Sequence, residues 1–139
     1  MQKLKILLNL WFPVVFWMTF IFILSSIQVG SASEFYWKDF IVKKTAHLIE
    51  YGVLATLLYR GLKGSKIVTK KAMCYAIIIS FLYAITDEFH QSFTPGRGPA
   101  IRDVFIDLIG ATIFIYGILK NIKKMPKVLQ NLYSQHQIA

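Results

Sequence analysis

The chain has 139 residues, of which 55% are hydrophobic and 15% aromatic, with a formal net charge of +9. A mean hydropathy of +0.51 excludes a soluble domain of this size with an ordinary solvated surface. The basic residues stand in short blocks between apolar runs, so the charge reads as membrane topology and excludes a nucleic-acid footprint.

Four apolar runs, at about 6–27, 40–59, 72–91 and 104–119, approach or reach the roughly 17–25 helical residues that cross a hydrocarbon core of about 30 Å. Lipid forbids open sheet edges, and four runs cannot close a barrel. The expected fold is therefore an all-α integral membrane domain of four transmembrane helices over 1–139, with a basic tail at 120–139.

The first run starts on Lys3 and Lys5, contains Pro13, which should kink it, and ends on Ser25, Ser26 and Gln28. The small residues "GSAS" at 30–33 resemble a cleavage site. An apolar core of about twenty residues is too long for a cleavable signal, whose core runs to about 15, so the run is expected to stay as an anchor. The second run opens with Lys43, Lys44, His47, Glu50 and Tyr51, and the last three share one helix face by their spacing of three and four.

In the third run, residues 72–86 read "AMCYAIIISFLYAIT" without a charge and rise about 22 Å, after which Asp87, Glu88, His90 and Gln91 follow at once. Carboxylates at a helix C-terminus oppose the macrodipole, so these need partners, for which Arg97, Arg102 and Lys43 are candidates. Cys74, the sole cysteine, has no partner for an intramolecular disulfide and is expected to fill core. In the loop "SFTPGRGPAIR" at 92–102, Pro95-Gly96 suits the centre of a type II turn that aims Arg97 back at the acids. Asp103 then suits the N-terminus of the last helix, as dipole partner and cap, with Asp107 one turn on.

The orientation follows from lysine and arginine. With the N-terminus cytoplasmic, the inside segments hold Lys3, Lys5, Arg60, Lys63, Lys66, Lys70, Lys71, Lys120, Lys123, Lys124 and Lys127, eleven of sixteen. Both termini are expected in the cytoplasm, the tail lies against anionic inner-leaflet lipid, and the polar residues of all four helices form one outward-facing layer. An ionisable group at a helix centre costs about 2.5–3.5 kcal/mol on insertion scales, so Glu50 and Asp107 should face the bundle and find partners.

These residues also carry a family likeness. "DEFHQSFTPGRGPAIRDVFIDLIGA" resembles the VanZ-like family of small bacterial membrane proteins, marked by a DE-x-HQ-x-F-x-PGR block followed by an aspartate, a second acid or amide and a glycine. The matching positions are Asp87, Glu88, His90, Gln91, Phe93, Pro95, Gly96, Arg97, Asp103, Asp107 and Gly110. "ILSSIQ" and "KTAHLIEYGVLATLLYR", with Lys44, His47 and Tyr51, extend the likeness to residues 10–119. The resemblance implies a multi-pass protein of the bacterial cytoplasmic membrane, in a family named for a protein linked to teicoplanin resistance. It carries over no catalytic residue. "ILSSIQ" and "HLIEYG" also have rough counterparts in "TDEFHQ" and "DVFIDLIG", as two duplicated hairpins would show.

Three uses of the layer stay open. It can be an ion-pair network that only stabilises the bundle. It can bind an outer-leaflet lipid or a lipid-linked wall-precursor head group, with Arg97 and Arg102 on phosphate. It can also serve an intramembrane enzyme or a proton-coupled transporter through its His, Asp and Glu, the latter needing an oligomer. The sequence has no HExxH motif or cysteine cluster, so no metal or other cofactor is expected.

Overall fold

The computed structural model describes residues 2–27, 36–95, 97, 100–124, 126–127 and 130, with 36–39 given by their backbone. Four helices follow in chain order: α1 (Gln2–Ser26), α2 (Tyr36–Gly64), α3 (Thr69–Gln91) and α4 (Ile101–Asn121), with a 3-10 turn at Ile122–Lys124. Each expected run falls in one helix, the first overrunning its end by a residue, and most helices extend past the run. Long basic side chains at the ends carry their charge out to the interface while the backbone stays helical, so the apolar run stops before the helix does.

Among the described residues, three helices have the length and apolar composition to cross a membrane: Gln2–Ser26, Thr69–Gln91 and Ile101–Lys124. The second, α2, falls short on composition, and its place in the bundle explains why. It packs against α1, α3 and α4, burying Tyr51, Leu54, Ala55, Leu58, Tyr59 and Leu62. Much of its surface meets protein, so it needs less apolar surface for lipid.

By contrast, α1 touches α2 and α3 and buries only Val14, Ile21 and Ser25 among its described residues. Phe12, Phe16 and Ile23 stay exposed on its outer side. The helix runs through Pro13, which has no N–H for the carbonyl of Asn9 one turn earlier. That carbonyl accepts a hydrogen bond from Arg60 Nη1 of α2 at 3.3 Å. The break in the ladder becomes a tie between helices.

Small residues set the approach of the rest. On α3 the buried stripe is Ala72, Ala76, Ser80 and Ala84, four apart, and it continues into Asp87, Glu88 and Gln91. Cys74 lies two residues off that stripe and is exposed, so it does not fill the core as its apolar character suggested. Where α4 crosses α2, Gly110 lies so close that an added Cβ would overlap the Leu48 carbonyl. The turn after α2 places Lys66 at a φ of 65°. Lys66 N–H bonds the Lys63 carbonyl and Ile67 N–H the Leu62 carbonyl, which closes the last turn of the helix.

The glycines give a graded test. Gly110→Ala pushes against backbone and should cost about 1–3 kcal/mol, read as thermal unfolding in detergent. Gly64→Ala meets only the branched end of Leu10 and should cost less, and Gly117→Ala, with nothing within 4 Å, should be near neutral.

Candidate functional site

The antiparallel helices bring the C-terminal end of α1, the first half of α2, the C-terminal turn of α3 and the first turns of α4 to one end of the bundle. Ser25, Lys44, His47, Tyr51, Asp87, Glu88, His90, Gln91, Asp103 and Asp107 all lie in that layer. The i, i+3, i+4 spacings within each helix are what place them on inward faces.

Two bonds join α2 to α4. Lys44 Nζ pairs with Asp103 Oδ2, and His47 Nδ1 meets Asp107 Oδ1 at 3.2 Å. Asp107 is 1% exposed and stands about 9 Å along α4 from Ile101. A carboxylate at that depth is retained only with a partner on a facing helix. Lys44 and His47 sit one turn apart on α2, matching Asp103 and Asp107 one turn apart on α4.

A third bond joins α1 to α3. Ser25 Oγ lies 3.2 Å from His90 Nδ1, and the His90 ring stacks on Phe22 with centroids 4.2 Å apart. Ser25 Oγ also donates to the Phe22 carbonyl at 3.0 Å. Ser26 takes no part in this layer: it is exposed, and its hydroxyl bonds the Phe22 carbonyl at 2.7 Å. Gln28 lies outside the described residues.

The acids at the end of α3 find partners, but not the expected ones. Asp87 Oδ2 accepts from Gln91 Nε2 at 2.9 Å, one turn along the same helix. Glu88 Oε2 accepts the Ala100 N–H at 2.7 Å. Ala100 is the N-cap residue of α4 and has no side-chain cap of its own. Glu88 thus caps α4 from α3, a negative charge at the positive end of that helix. Asp103 was expected to be the cap. It lies three residues inside, and its side chain turns to Lys44 instead.

Arg97 was expected to neutralise Asp87 or Glu88, and it does neither. Its Nη2 donates to the Leu24 carbonyl at 2.8 Å and its Nε to the Ile27 carbonyl at 3.1 Å. The guanidinium closes the C-terminal end of α1, where orphan carbonyls and the dipole both favour a cation. The loop before it turns as proposed in one respect: Arg97 N–H bonds the Thr94 carbonyl at 3.1 Å, with Pro95 between. Gly96, Gly98 and Pro99 lie outside the described residues.

Arg102 stays at the rim. Its side chain is 62% exposed, its guanidinium carbon is 4.9 Å from the centre of the Phe40 ring, and its Nε is 3.6 Å from Asp103 Oδ1. Glu50 is half-buried, and its main-chain carbonyl accepts the Trp17 indole N–H at 2.9 Å. Tyr83, which sequence reasoning passed over, donates its hydroxyl to the Met18 carbonyl at 2.6 Å and faces the Tyr51 ring at 6.2 Å. Its only sequence signal was a polar tip one turn before Asp87. Main-chain partners such as Ala100, Leu24 and Ile27 leave no signal of their own.

Among the described residues, no three of His, Cys, Asp and Glu converge closely enough to hold a metal ion. Helices suited to a membrane and a buried acid–histidine layer at one end define a small helical membrane protein. The family profile of VanZ/LLP1 matches residues 8–123, and the chain belongs to that family. No curated protein and no solved structure matches it.

The Lys44–Asp103 pair can be tested directly. Lys44→Met leaves Asp103 with only Arg102, 3.6 Å away at the rim, and should destabilise the bundle by about 1–3 kcal/mol, and adding Asp103→Asn should recover most of that loss. Arg97→Ala combined with Glu88→Gln should be additive, because the two side chains hold different helix ends.

Proposed function

We propose that this VanZ/LLP1 chain crosses the bacterial cytoplasmic membrane four times with both termini inside, and binds the head group of an outer-leaflet lipid or a lipid-linked wall precursor. The observation that carries the reading is Arg102. Of the two arginines first considered for phosphate, Arg97 spends its donors on α1, whereas Arg102 remains exposed at the mouth of a buried polar layer. A guanidinium held over an aromatic ring is pre-oriented for an anionic group arriving from the interface. Exposed Lys43 adds a second cation on the same end of α2.

The orientation rests on the eleven basic residues assigned to the cytoplasmic side, among them Arg60, Lys63 and Lys120. A reporter fused at Gly64 should read as cytoplasmic and one at Pro95 as external. The opposite result would put the polar layer on the inner face and end the outer-leaflet reading.

Family membership extends the proposal to glycopeptides. Teicoplanin carries a fatty chain that can hold it at the membrane and vancomycin does not, so a protein acting at the outer boundary should affect the first drug more. Expression in a susceptible Gram-positive host should raise teicoplanin tolerance with little change for vancomycin. At matched membrane abundance, Arg102→Ala, Asp87→Asn and His90→Ala should each remove the effect. A tolerance that survives all three would show that this layer does not carry the activity.

The His47–Asp107 pair favours a second reading, an intramembrane enzyme or a proton-coupled transporter, since a histidine held by a carboxylate can pass a proton. Proton uptake into vesicles that Asp107→Asn abolishes would select the transporter. Binding of a head group alone produces no flux.

A further inference from the structure

The ties of α1 change partner along its length. Up to Trp17 they run to α2: the Asn9 carbonyl takes Arg60, Leu10 and Trp11 pack on Gly64 and Gly61, and the Trp17 indole donates to the Glu50 carbonyl. Beyond Trp17 they run to α3 and the loop after it. The Met18 carbonyl takes Tyr83, Phe22 and Ser25 meet His90, and the carbonyls of Leu24 and Ile27 take Arg97. The helix crosses from one neighbour to the other as it approaches the polar layer.

Burial on α2 records the same crossing. Lys43 and Ala46 lie about five full turns before Gly61 and Gly64, and so on the same face of the helix. Gly61 and Gly64 are buried under α1, whereas Lys43 and Ala46 are exposed. From Glu50 toward the polar end this face is uncovered, and a seam opens between α1 and α2.

Its α2 wall is Lys43, Ala46 and Glu50, spaced by three and four over about 10 Å. Its α1 wall is Phe20 and Leu24, which share the face of Trp17 by the same spacing, and the Phe20 ring lies 5.1 Å from that of Trp17. The bond from Trp17 to the Glu50 carbonyl forms the floor. The Glu50 carboxylate is half-buried there, with His47, one turn back, as its leading charged neighbour and Arg97, at the top of α1, within electrostatic reach. Arg97 spends its donors on α1 but keeps its charge, so Lys43 and Arg97 put positive charge on both lips.

A seam at this depth in a bilayer is filled by neither water nor vacuum, since the hydrocarbon holds no water and a void forfeits the contacts of both walls. The surroundings supply lipid chains. Cations at the mouth above apolar walls match a lipid with an anionic head, its phosphate at the lips and a chain running down to Trp17.

We propose that the seam between α1 and α2 binds one acyl chain of an anionic phospholipid, with Lys43 selecting its phosphate. Lys44, next in the chain, points about 100° away to Asp103, so the seam is separate from the rim at Arg102 and does not depend on the head-group reading above.

The test uses the full chain carrying Trp11→Phe and Trp37→Phe, so that Trp17 alone fluoresces, in phosphatidylcholine vesicles. Phosphatidylglycerol or phosphatidylcholine brominated midway along its chains is added, and bromine quenches an indole that it touches. Half-quenching of Trp17 should need about tenfold less brominated phosphatidylglycerol than brominated phosphatidylcholine. Lys43→Gln should bring the two lipids together. Ala46→Phe, which fills the seam from an exposed position, should weaken quenching by both, and Arg102→Ala should leave the preference intact. Equal quenching by the two lipids before Lys43 is changed, or a preference that survives Lys43→Gln, would overturn the site. Loss of the preference on Arg102→Ala would move the lipid to the rim and overturn the seam as its seat. A Trp17 that neither lipid quenches would overturn the lipid as occupant, and a dimer by native mass spectrometry would then put a second copy there.

Discussion

A carboxylate inside a bundle that faces lipid has no solvent to turn to, and the pair formed by Lys44 and Asp103 is the simplest answer this fold makes to that constraint. The pair requires α2 and α4 to lie close over the whole first half of their contact. Gly110 removes the side chain that would hold them apart, and the His47–Asp107 contact repeats the solution one turn deeper. The alanine stripe of α3 serves the same end, since it lets Asp87 and Glu88 reach the interior without a bulky neighbour beside them. The apolar packing, in this view, is arranged around the polar contacts.

Helix ends supply most of the remaining partners. Glu88 holds the first N–H of α4, Arg97 holds the last carbonyls of α1, and neither uses a side chain of the helix it closes. Both place a charge where the helix dipole favours it. The acids at the end of α3, which face their own helix dipole unfavourably, are offset by what they do for the next helix. Glu88 is the clearer case: its penalty at the C-terminus of α3 is set against a gain at the N-terminus of α4.

The four helices were legible because apolar runs of spanning length have few alternatives in lipid, and the common layer was legible because i, i+3, i+4 spacing puts His47 and Tyr51, or Asp103 and Asp107, on one face. Pairing between helices was less so. Arg97 is the next formal charge after the acids in sequence order and was assigned to them because a turn at Pro95-Gly96 would aim it back, yet the carbonyls it reaches belong to residues 24 and 27, whose side chains say nothing about it. Ser26 was grouped with Ser25 by adjacency, although neighbours on a helix point about 100° apart and only one of them faces inward. Cys74 failed for the same geometric reason, being apolar but off the buried stripe.

The contacts that hold α1 in place have a consequence for how its sequence can drift. Arg60 reads the Asn9 carbonyl, Arg97 reads those of Leu24 and Ile27, and Tyr83 reads that of Met18, so these ties address main-chain oxygen that every residue possesses. Substitution among apolar residues along the outer face of this helix leaves those four acceptors where they are. The outer face of the first helix can therefore change without shifting its depth and tilt, and the positions that record its docking are Arg60, Arg97 and Tyr83 outside it together with its own Trp17, Phe22 and Ser25, which meet Glu50 and His90.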